Sequence, residues 1–175
     1  MCRAGQLAKN RAGLWEISDM KTRILLAIAL GMGLSVPAFA AADLSPADKK
    51  AMHDYVLSMD KVKAMGAALN DFQKLAKKDP SLDAQGHGIG DNSKSIAEME
   101  ARISANSKIM SVYRAHGLSA ADAVVMPFVL MYAGMAVEYP QTAAKLSSET
   151  SPQQIAFFRQ NKKALKATAW LYPKN

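Results

Sequence analysis

SAADAVVMPFVLMYAGMAVE, residues 119–138, is the stretch on which the fold turns. Ser119 is followed three residues later by Asp122, the pattern of a helix start in which a hydroxyl caps a free backbone N–H and the acid reaches back to the cap. From 123 to 137 there is no charge at all. As a helix this uncharged run rises only about 22 Å, short of the roughly 30 Å of a hydrocarbon core. It also contains Pro127 and Gly134. An apolar helix of that length is best satisfied by neighbouring helices, so it reads as the central rod of a helical protein rather than a membrane span. Tyr139-Pro140 ends it.

Working outward, the same start grammar recurs at Ser45…Asp48, Ser95…Glu98 and Ser151…Gln154. Pro46 and Pro152 occupy the first helical position in two of them, where a missing N–H leaves no bond unmade. Nothing between these starts alternates like a strand. A first helix is expected over 46–78, with Met52, Tyr55, Val56, Met59, Val62, Met65, Leu69, Phe72 and Leu75 on one face. Lys74, Lys77 and Lys78 suit its negative end, and Asp79-Pro80 stops it. Gly66 in its middle marks a bend or a close helix contact.

A second helix starts at Ser95, burying Ile96, Met99 and Ile103, and breaks near Asn106. A third carries Ile109, Met110, Val112 and Tyr113 and closes at His116, with Gly117 as a left-handed terminator. The last begins at Ser151 and buries Ile155, Phe158 and Leu165, leaving Arg159, Lys162, Lys163 and Lys166 outside. Trp170 and Tyr172 in the tail are expected to fold back. The fold class is thus all-α, a single-domain bundle of four to five helices around a buried apolar central helix.

The N-terminus is expected to be removed before that bundle forms. Lys21 and Arg23 follow Met20, the run ILLAIALGMGLSV over 24–36 is apolar, and Ala38-Phe39-Ala40 is an A-x-A cleavage site. Residues 20–40 therefore read as a cleaved signal peptide, and 1–19 as an over-extended start ahead of it. The helical domain is 41–175. The one cysteine, Cys2, falls in the discarded part, so the processed chain has no thiol chemistry and no disulfide. Its charge drops from +7 to +4, with 17 Lys+Arg against 13 Asp+Glu from Ala41 onward. The location these features imply is periplasmic or secreted, in a bacterial-type envelope, with no transmembrane anchor after processing.

Chemistry is harder to find. Residues 79–92, with Gly86, Gly88 and Gly90, read as a glycine-rich loop; GHGIGDNSKS resembles a phosphate cradle only loosely, since Ser93 rather than glycine precedes Lys94 and no strand leads in. Asp83, Asp91 and Asn92 do not have the spacing of a calcium loop. Met52 beside His53, and Met131 with Met135 on one helical face, suggest a copper(I) or haem site, but the methionines coincide with apolar stripes and C-x-x-C-H is missing. His87 reads as a loop residue and His116 as a helix-ending cation. Glu98 and Glu100 point to different sides of a helix, and Glu98 with Arg102 makes a plain surface pair.

There is no nucleophile elbow and no H-E-x-x-H, so neither a catalytic group nor a cofactor is expected. The expected activity is non-catalytic binding, with a protein, an envelope component or a small apolar molecule as partner rather than nucleic acid. The 86–90 glycines and the basic face of the last helix are the first places to look. A copper- or haem-binding bundle is the alternative.

Overall fold

The computed structural model describes residues 44–92 and 95–172. The expected over-extended start, signal peptide and cleavage site lie outside the described residues. The described chain is all-helical, without a strand: α1 (Pro46–Asp54), α2 (Met59–Lys78), α3 (Pro80–Asn92), α4 (Ile96–Ala105), α5 (Ser107–Ala115), α6 (Ala120–Glu138), the short α7 (Pro140–Ala143) with a 3₁₀ turn (Ala144–Leu146), and α8 (Pro152–Lys166).

α6 is the rod around which the others pack. It lies against α8, α4, α1 and α5, and Ala123, Met126, Val129 and Ala133 on it are fully buried. Long and apolar enough to cross a membrane by composition, it has most of its surface covered by neighbours. Pro127 sits inside it without ending it, although an interior proline removes one backbone bond and costs about 3 kcal/mol. Burial of its flanks offsets that loss.

All four serine caps form. Ser45, Ser95, Ser119 and Ser151 each accept from the N–H three residues on, and at Ser119 and Ser151 the return bond completes the box. Asn106 caps α5 in the same way. Gly117, at φ 72°, turns the chain from α5 to α6 in the left-handed region that glycine tolerates.

Two sequence expectations are overturned, and with them the count of four to five helices. The helix expected over 46–78 is two helices. Tyr55 leaves helical geometry, Ser58 starts a new cap, and Val56, placed by periodicity on the inner face, is 76% exposed. The reason is remote: the Gln154 amide on α8 takes the carbonyls of Met52, His53 and Tyr55, so α1 ends on a side chain about a hundred residues away.

The glycine-rich loop expected over 79–92 is instead the helix α3. Pro80 opens it, and Leu82 and Ile89, two turns apart, are buried against the bundle. Each helical glycine costs about 1 kcal/mol relative to alanine, and here tertiary burial of that face overrides local preference. Asp79, at the junction of α2 and α3, accepts from the Ser81 hydroxyl at 2.6 Å and pairs with Lys108 on α5 at 2.9 Å.

Candidate ligand-binding cavity

The C-terminal half of α6 carries the small residue that lets α8 approach. A Cβ on Gly134 would stand 3.0 Å from Cε2 and Cζ of Phe158, so the ring lies directly on the α6 backbone. Beyond α8 the chain turns back at Thr168, whose carbonyl accepts from the N–H groups of Leu171 and Tyr172. Trp170 anchors this turn: its indole N–H donates to the Val62 carbonyl at 3.1 Å, and Cδ1 stands 3.0 Å from where a Gly66 Cβ would be. The tail does fold back, and in doing so it roofs a space.

That space is a cavity of about 260 Å³ lined by Leu130, Met131, Gly134, Met135, Glu138, Tyr139, Phe158, Lys166, Leu171 and Tyr172. Its walls are mostly apolar, and its charge sits at one end. There Glu138 pairs with Lys162 at 3.1 Å and Lys166 at 3.0 Å. Burial pushes the Glu138 carboxyl up, but the two ammonium contacts outweigh it and hold the group below the usual range. Burial raises the Tyr172 hydroxyl, and the Glu138 charge raises it further, so Tyr172 is a neutral donor at any ordinary pH.

A second polar cluster is already full. Asp122 accepts from the Tyr55 hydroxyl at 2.6 Å, the Lys61 ammonium at 2.7 Å and both the N–H and hydroxyl of Ser119. Burial opposes its charge, yet these four donors bring its pKa to about 2. Such a carboxylate ties α1, α2 and α6 together and has little capacity left for a ligand. Asp48, also buried, does similar work by accepting the Ile96 N–H that starts α4.

The residues singled out by sequence are scattered. Met52 is fully buried in the core, while the His53 side chain is 43% exposed beside Asp54, so the neighbours diverge and do not share a site. Met131 and Met135 do come together, on the cavity wall. His116 caps α5 and meets Asp71 at 3.0 Å. Glu98 and Arg102 form the expected surface pair at 2.7 Å. Of the 86–90 glycines, Gly86 is buried within α3; Lys94, the cation of the phosphate idea, lies outside the described residues. The basic face of α8 divides: Lys162 and Lys166 turn onto Glu138, and Arg159 and Lys163 stay exposed. No group of three or more His, Cys, Asp or Glu gathers among the described residues.

Sequence reasoning missed Glu138 and Leu171, and named Tyr172 only as part of a tail that folds back. Glu138 was the discoverable one, the first charge after fifteen uncharged positions. The chain matches no protein-family model, no curated protein and no solved structure.

Proposed function

We propose that this chain is an exported, non-catalytic helical module that holds a small, mainly apolar molecule between α6 and α8. The observation that carries the reading is the cavity of about 260 Å³, whose apolar walls end in one charged cluster. Ligand sites usually combine mostly hydrophobic walls with a few convergent polar groups, and their volumes begin near 300 Å³. Export is supported by the Lys21–Arg23 charges, the apolar run over 24–36 and the Ala38-Phe39-Ala40 site.

Two measurements test this reading. The full chain produced in a bacterial host is expected in the osmotic-shock fraction with Ala41 as its first residue; retention of residues 20–40 in the product refutes export. Octan-1-ol titrated into protein carrying ¹³C-methyl methionine is expected to shift the Met131 and Met135 signals while leaving that of Met65 in place. Cavity methyls unmoved by octan-1-ol and by its charged eight-carbon analogues alike refute the binding site.

A second reading, a copper(I) carrier, is favoured by one observation: Met131 and Met135, one turn apart, both line the cavity. Thioethers are ligands for this soft ion. Stoichiometric copper in protein purified from copper-supplemented cells supports it, and metal-free protein excludes it. A Soret band in the same sample identifies haem instead.

A further inference from the structure

We infer that the cavity is built for a free single-chain amphiphile with an anionic end, its apolar chain lying along Met131, Phe158 and Leu171 and its head paired with Lys166. The inference rests on the reading of the α6–α8 cavity as the binding site and adds the chemical class of the occupant.

Size sets the length. The space of about 260 Å³ lies just under the roughly 300 Å³ at which sites for drug-sized ligands begin. That matches a chain of about eight carbons with a small head and excludes a two-chain lipid held entirely inside.

Charge sets the head. Glu138 and Lys166 line the space, and Lys162, outside the lining, pairs with Glu138 as well, so the formal sum of the cluster is +1. The charge of Glu138 is thereby balanced before a ligand arrives, although its buried Oε1 accepts no hydrogen bond. An ammonium group has three donors, and Lys166, with a side chain 48% exposed, retains some that face water. An anionic head replaces that water with a charge-assisted bond beside apolar walls, whereas a cationic head meets a like charge. Tyr172 lines the same space.

The test compares octanoate, octan-1-ol and octylammonium at low ionic strength, read by calorimetry and by the Met131 and Met135 methyl signals. Octanoate is expected to bind about tenfold more tightly than octan-1-ol, and octylammonium most weakly. Lys166→Met is expected to cut the preference for octanoate over octan-1-ol below threefold, and Lys166→Arg to retain it. Circular dichroism matching the parent establishes that each variant is folded. Octanoate and octan-1-ol binding within threefold of one another, tightest binding by octylammonium, or a preference that survives Lys166→Met overturns the anionic head but leaves the cavity reading standing. If none of the three moves the cavity methyls, both fall.

Discussion

The side-chain amide of Gln154 donates to the carbonyl of Met52 at 2.7 Å, joining the first turn of α8 to the last turn of α1. The same nitrogen reaches the Tyr55 carbonyl at 2.7 Å, and the amide oxygen accepts from the Ser151 N–H at 2.9 Å. One buried amide thus caps the start of one helix and the end of another. Gln154→Ala leaves orphaned carbonyls in a buried setting as well as an incomplete cap. A loss of about 2–4 kcal/mol is expected in chemical denaturation. A change under 0.5 kcal/mol would mean that water replaces the amide without penalty.

Acid should weaken the fold through Asp122. Its folded pKa is about 2, below the ordinary 3.8. A depressed carboxyl contributes stability above its unfolded pKa and loses it as pH falls toward the folded one. The window is therefore pH 4 to 2, and the contribution is about 2 kcal/mol. Asp122→Asn should be less stable than the parent at pH 6 and show a shallower fall across that window. Parallel curves for the two proteins would refute the assignment.

Gly134 and Gly66 should each resist a methyl group, for separate reasons. Gly134→Ala drives a Cβ to 3.0 Å from the Phe158 ring, whose edge is locked between helices. Overpacking of this kind costs about 1–3 kcal/mol, and it should shift the Met131 and Met135 methyl signals. Gly66→Ala presses on Trp170 instead. In a chain beginning at Ala41, where Trp170 is the one tryptophan, its emission should move to longer wavelength while the Met131 signal stays.

Val56 lies in the break between α1 and α2, and Val62 lies within α2. Val56→Asn, at a residue 76% exposed, should change stability by less than about 0.5 kcal/mol. Val62→Ala, at a fully buried residue, should cost about 2 kcal/mol. Comparable losses at the two sites would restore the single continuous helix that periodicity implies. Ser58→Ala should cost about 1 kcal/mol as the loss of a cap.

Local patterns read correctly at four helices that begin with their own cap and bury their own stripe, whereas the Ser58 cap that starts α2 went unread. Ser119 with Asp122, Ser151 with Gln154, and Gly117 at the left-handed turn are of this kind, because hydroxyl, carboxylate and N–H lie within four residues of each other. Val56 was misread because the one local sign of a break, Ser58, sits inside an unbroken apolar stripe, and the Gln154 amide that terminates α1 lies about a hundred residues away. Residues 79–92 were misread because three glycines weaken a helix locally, whereas Leu82 and Ile89 gain by burial against partners far along the chain. In the cavity, Met131, Met135 and Lys166 were named from sequence for other reasons, and their meeting with Glu138 and Tyr172 was not foreseeable.

The sequence by itself determined the helical class, the apolar rod over 119–138 and four of the helix starts, since caps and periodicity act over a few residues. Only the tertiary structure decided that the first helix breaks at Tyr55, that the glycine-rich stretch coils, and that α6, α8 and the returning tail enclose a space with charge at one end. These outcomes depend on side chains that meet across about a hundred residues, such as Gln154 with Met52 and Trp170 with Val62. Their energy exists only once the chain has closed on itself.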